Sequence, residues 1–187
     1  MLGAMTDGPS FAAEIGRRIR GLRLARGISL SELAHRASVG KATLSALESG
    51  TRNPTVETLY AITAQLDVPL AAVLTDPGAP AAEAVHGESV TAELLETFED
   101  GGCITELYRL RIRPGRRQVS PAHPEGVTEH LTVFAGTARV GPLDAPLTVP
   151  AGAHASWRSD VPHLYEADGE VHAALLIRHP RGRGKGH

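Results

Sequence analysis

At 187 residues the chain is long enough for one large domain or two small ones. A hydrophobic content of 42% can fill a core, and no apolar run approaches the ~20 residues needed to span a bilayer. The net charge of -2 on its own argues against nonspecific nucleic-acid binding, and the lone Cys103 excludes an intrachain disulfide, which suits a reducing cytoplasm. No basic-then-apolar segment opens the chain, so secretion is not expected. The charge is unevenly spread. Residues 1–75 hold eight Lys/Arg and six Asp/Glu, the remainder 11 and 15, so a mildly basic part precedes an acidic one.

Met1 to Pro9 has no periodicity and is expected to be disordered. Ser10 can cap a first helix with Phe11, Ile15, Ile19 and Leu22 on one face, stopped by Gly27. Ser29 and Glu32 form a capping box, and Leu30, Leu33, Ala34 and Ala37 then repeat at helical spacing. Ser38-Val39-Gly40 interrupts the pattern. Lys41 to Ser49 resumes it with Leu44 and Leu47 inward, and Gly50 ends it. The outer face of this third helix carries Lys41, Ala42, Ser45 and Ala46, and a helix presented this way fits the major groove of B-DNA. Thr51-Arg52-Asn53 is a polar loop placed for phosphate contacts. Pro54-Thr55 opens a fourth helix with Val56, Leu59, Ile62 and Leu66 inward. Pro69 opens a short fifth, with Leu70, Val73 and Leu74 closing the core.

Between Phe11 and Leu74, Arg23, SLSELA, ATLSALESG and NPTVETLYAI together resemble the lambda-repressor/Cro-like (XRE-type) helix-turn-helix family. The resemblance implies that Arg23 and Glu48 form a partly buried ion pair between the first and third helices. It also makes Ser31, Gly40, Lys41, Ala42, Thr43, Ser45, Ala46, Arg52 and Asn53 the DNA-facing candidates. Two departures stand out. Ser38 and Gly40 occupy the turn in the reverse of the usual order, which leaves Ser38 to take φ > 0 and Gly40 to cap the recognition helix. Leu30 stands where many relatives place a phosphate-contacting Gln.

Asp76 to Ser89, rich in Pro, Ala and Gly, reads as a linker. Beyond it the texture changes to short strands separated by Gly, Pro and Asp. From Ile104 to Ile112 the period is two, with Tyr108, Leu110 and Ile112 on one face and Leu107, Arg109, Arg111 and Arg113 on the other. The arginine row is read as a wet strand face paired with acidic neighbours. Such a run of strands argues an all-β sandwich or barrel.

The stretches AHPEGVTEHLTVFAG and PAGAHASWRSDVPHLYEADGE resemble the two motifs of the cupins, double-stranded β-helix barrels, over roughly Thr105 to Arg178. The resemblance places His123, Glu125, Glu129 and His163 at the metal or effector site, with Glu125 where the family usually has His. Residues 123, 125 and 129 share a face if extended, and His130 points the other way, although Pro124 and Gly126 make a loop there. The site takes one divalent ion (zinc, iron, nickel or manganese) or none, in which case its polar mouth binds a small effector or the barrel merely keeps an inherited shape. The remaining histidines, His179 among them, are read as surface or core residues; Trp157, Phe134 and Tyr165 are read as packing residues. No nucleophile motif or phosphate loop is present.

The fold class expected is multidomain α + β. A disordered N-terminus (1–9) leads into a five-helix lambda-repressor-like DNA-binding domain (10–75). A linker (76–89), a cupin barrel (90–180) and a flexible basic tail (181–187) follow. The function expected is a cytoplasmic, homodimeric, sequence-specific transcriptional regulator. Its partners are a double-stranded DNA operator and a small-molecule effector sensed by the barrel, with no membrane. The alternative is a mononuclear metal-dependent cupin oxygenase or epoxidase whose helical domain does not read DNA, with His123, Glu129 and His163 as the facial triad.

Overall fold

The computed structural model describes residues 10–74, 84–100 and 102–180. The disorder expected at 1–9 and 181–187, and most of the linker, lie outside the described residues. Five helices come first: α1 (Phe11–Ala25), α2 (Leu30–Arg36), α3 (Lys41–Glu48), α4 (Val56–Gln65) and α5 (Ala71–Leu74). Three begin under a hydroxyl cap: Ser10 accepts from the Ala13 N–H, Ser29 from Glu32 and Thr55 from Thr58. Pro69 and Leu70 form the turn before α5 instead of its first residues, with the Ala72 N–H donating to the Pro69 carbonyl at 3.1 Å.

Ile15, Ile19, Leu33, Leu44, Leu59 and Ile62 are all no more than 1% exposed, each stabilising the head by roughly 1.5–3 kcal/mol. Two glycines let α1 and the α3 end approach closely. A Cβ on Gly16 would stand 2.1 Å from the Leu47 carbonyl oxygen, and Gly50, at φ 71°, has Ala13 Cα 2.6 Å from where its Cβ would be. In the turn, Ser38 has φ 53° and Gly40 caps α3 with no side-chain hydrogen bond.

Ten strands follow: β1 (Val85–His86), β2 (Val90–Asp100), β3 (Cys103–Ile112), β4 (Arg117–Ser120), β5 (Thr128–Ala135), β6 (Thr137–Pro142), β7 (Leu147–Pro150), β8 (His154–Arg158), β9 (His163–Ala167) and β10 (Val171–Pro180). They form two antiparallel sheets, ordered β1-β2-β3-β10-β5-β8 and β4-β9-β6-β7. Chain neighbours β8 and β9 sit in different sheets, as do β5 and β6, which is the crossing pattern of a double-stranded β-helix. Val85 and His86 lie at the end of the expected linker yet pair with Ala92 and Thr91, so the sheet starts earlier than its sequence texture suggests.

On β3 the period of two holds. Tyr108, Leu110 and Ile112 are buried, while Arg109 reaches Glu93 and Arg111 reaches Glu170, each at 2.7 Å. Phe134, expected to pack, is 65% exposed because it leaves the barrel wall on the outer face of β5. Trp157 is buried opposite Glu129 in the β5–β8 register. Head and barrel share one continuous core: Tyr60 on α4 packs on His123, and the Glu57 carboxylate accepts from the Glu88 N–H at 3.0 Å.

Candidate functional site

The first candidate site is the outer edge of α3. Leu44 and Leu47 anchor the helix from beneath, at 0% and 2% exposure. Arg23 holds its far end: Nε and Nη2 each donate to a Glu48 carboxylate oxygen at 2.7 Å, and Nη1 donates to the Ile28 carbonyl at 2.9 Å. Both partners are nearly buried, so α1, the α1–α2 turn and α3 move as one piece. What remains outward is Lys41, Ala42 and Ser45, exposed, with Thr43 and Ala46 half-buried beside them. Ser31 at the start of α2 and Arg52 and Asn53 after α3 are exposed, as is the Gly40 cap. This edge stays exposed, and the barrel meets the head through α4 and α5.

The second site lies inside the barrel. Glu129 comes from β5 in one sheet and His163 from β9 in the other, so closing the barrel brings them together. His123 comes from the loop before β5, where its N–H donates to the Ser159 carbonyl at 2.9 Å. All three are buried, and one ligand atom from each lies within 4.8 Å of the others. His123 Nε2 is 2.8 Å from Glu129 Oε1, and the Tyr165 hydroxyl donates to Glu129 Oε2. Tyr165 therefore orients the carboxylate as well as packing, which its place two residues after His163 on a strand could have signalled.

Glu125 is exposed on its loop and stands outside this group. The parity that joined it to Glu129 applies only to extended chain, and Pro124 to Gly126 is not strand. His130 faces outward, half-buried beside Thr128.

The electrostatics suit a ligand set. Burial alone would push the Glu129 carboxyl up, but the neighbouring His163 and His123 overturn that and hold it well below the usual carboxylate range. For His163 burial works downward, and the Glu129 charge outweighs it and raises the imidazole above its ordinary value. His163 Nδ1 lies 2.9 Å from the Val161 carbonyl, which can only accept, so Nδ1 carries the proton. In the neutral ring Nε2 is then the lone-pair nitrogen. It stands 3.1 Å from Glu129 Oε1 but makes no aligned hydrogen bond, leaving a buried lone pair with no hydrogen-bond donor.

Three residues near the site carried no local signal. Tyr60 sits edge-on to His123, Glu106 is fully buried on β3, and His179 on β10 reaches Glu106 at 2.9 Å. Among the described residues no helix is long and apolar enough to cross a membrane.

The comparisons with known proteins agree with this geometry. A helix-turn-helix family model matches residues 19–73. The HTH-type transcriptional regulator SutR of Escherichia coli (strain K12) is 30% identical over 176 residues, covering 92% of this chain and 98% of that protein. The HTH-type transcriptional regulator SinR of Bacillus licheniformis is 41% identical over 63 residues, 33% of this chain and 57% of its own. The crystal structure of an HTH_3 family transcriptional regulator from Vibrio cholerae superposes with a TM-score of 0.75 at 25% identity, over 91% of this chain and 98% of that one. With its uncovered third helix, the chain belongs to the helix-turn-helix transcriptional regulators, and its C-terminal barrel has the double-stranded β-helix fold of the cupins.

Proposed function

We propose that the chain works in the cytoplasm as a homodimer, reads an operator through α3, and senses a small molecule in the barrel. The observation that carries the DNA contacts is the uncovered α3 edge, fixed from beneath by Leu44, Leu47 and the Arg23–Glu48 pair. Lys41 is the base reader, with Thr43 and Ser45 as base or phosphate partners and Ala42 and Ala46 against thymine methyls. Ser31, the Gly40 N–H, Arg52 and Asn53 face the phosphates. Dimerisation follows from size. An eight-residue helix reads only a few base pairs, and two heads on half-sites ~34 Å apart multiply the specificity. Selection of bound sites from random DNA tests this reading. Paired half-sites one helical turn apart are the expected result, and no enrichment would overturn it.

His123, Glu129 and His163 are the residues that would hold an effector or a divalent ion. The fit to a metal is good: two imidazoles, an ionised carboxylate, and a buried Nε2 on His163 without an aligned partner. A bound ion would supply a Lewis-acidic contact for an oxygen of the effector. The protein's own part is to orient the donors: Val161 fixes the His163 tautomer, Tyr165 steers Glu129, and the barrel excludes water. Metal analysis of protein purified without chelators or nickel columns tests this. Substoichiometric content would leave the pocket to a metal-free effector. The same two-His-one-carboxylate set favours, as a second reading, an iron-dependent oxygenase. Oxygen uptake by Fe(II)-loaded protein that shifts no DNA would establish it.

A further inference from the structure

Two helices of the head reach the surroundings of the buried triad. Tyr60 on α4, itself buried, meets the His123 ring edge-on, with centroids 4.8 Å apart and planes at 85°. The Ala71 N–H, at the start of α5, donates to Glu106 Oε1 on β3 at 2.5 Å. The second oxygen of Glu106 is 2.9 Å from His179 Nε2 on β10. The His179 ring in turn stands edge-on to His123, with centroids 6.1 Å apart. Glu129 holds His123 from a further side at 2.8 Å. The His123 ring is therefore the meeting point of α4, of the Glu106–His179 pair that holds α5, and of the triad carboxylate.

We propose that these contacts form a clasp, in which the side chains that fasten the DNA-reading domain to the barrel also shape the buried site. A change at the site then alters how firmly the head is held. The inference rests on the sensor reading of the triad and adds its output. Its physical basis is packing: in a close-packed interior a ring cannot shift without disturbing its neighbours. Donor atoms bound to one ion stand at most about 4.2 Å apart, twice a metal–nitrogen bond of ~2.1 Å. Those of the triad spread over up to 4.8 Å, so capturing an ion draws His123 and His163 together and disturbs the contacts of His123 with Tyr60 and His179. An organic ligand that donates a hydrogen bond to Glu129 Oε1 competes for the oxygen that His123 already holds. A crevice of about 340 Å³ lies at the same seam, lined by Val68 and Pro69 of the head and by Glu125, Val127 and His179 of the barrel. Because linkage is reciprocal, DNA that prefers the loosened head raises the affinity of the site for its ligand by the same factor.

Amide hydrogen exchange on the full chain tests the clasp. Glu129→Gln changes a barrel residue on β5, and His179→Ala lies outside both the triad and the DNA edge. Each is expected to speed exchange across α4 and α5 by about fivefold or more, with β6 and β7 within about twofold of the parent chain. Head amides within about twofold of the parent in both variants would overturn the proposal. So would zinc that binds stoichiometrically and leaves α4 and α5 unchanged. A chain that binds no zinc would instead remove the metal form of the sensor reading, while the two variants still decide the clasp.

Discussion

At the scale of single residues the head depends on a charge pair and the interface on one lysine. Arg23 and Glu48 are 7–9% exposed at their side chains, so each is desolvated and each relies on the other. Glu48→Ala leaves the guanidinium buried with the Ile28 carbonyl as its remaining partner, and should cost about 3 kcal/mol in denaturant unfolding. Replacing both residues with apolar ones of similar volume should recover most of that loss, because no buried charge is then left unpaired. Lys41 carries an exposed ammonium at the first turn of α3. Lys41→Ala should cost about 1–3 kcal/mol at one base position of the selected operator and leave the others alone. Competition binding across single-base variants reads this directly; a uniform loss on every sequence would make Lys41 a phosphate contact.

At the scale of elements, the helix-turn-helix turn carries a conformational cost. Ser38 sits at φ 53°, where a Cβ is disfavoured by roughly 1–2 kcal/mol, while Gly40 at φ -57° spends its freedom on an ordinary conformation. Ser38→Gly should therefore stabilise the head by about 0.5–1 kcal/mol, strain relief exceeding the added entropy of the unfolded chain. Gly40→Ser should add a few tenths of a kcal/mol as a better cap, since the nearest atom to a new Cβ is Thr43 Oγ1 at 3.4 Å. Thermal unfolding of the two variants and their combination measures both effects. Near-additive gains are expected if each residue acts only on its own backbone.

At the scale of the whole molecule, the buried triad and the head are parts of one packed unit. If the barrel holds a divalent ion, chelation removes the stabilisation that binding confers, about 2.7 kcal/mol at a free-ion concentration one hundred times Kd. For a chain of this length that corresponds to a fall in Tm of about 5–10 °C. Calorimetry before and after chelator, with zinc added back, checks it. An unchanged Tm assigns the site to an organic effector. The dimer belongs to this scale too: sedimentation should give twice the 19.7 kDa chain mass, and a monomer would leave each α3 without its second half-site.

Periodicity and capping are local, so the sequence by itself determined the five helices, the Ser29 cap, the strained Ser38 and the uncovered face of α3. Strand parity likewise placed Glu129 inward and His130 outward, because side chains on extended chain alternate whatever the strand pairs with. Parity failed at Glu125, where the chain is a loop and alternation has no meaning. The resemblance put His123 with Glu129 and His163; only the tertiary structure decided that Tyr165 orients Glu129 and that Phe134 faces solvent. It alone also showed the seam between head and barrel. Ala71 meets Glu106 across 35 residues, and Glu106 meets His179 across 73. Contacts of that kind arise when two finished surfaces are pressed together and buried polar groups must find partners, a demand that no short window of sequence records.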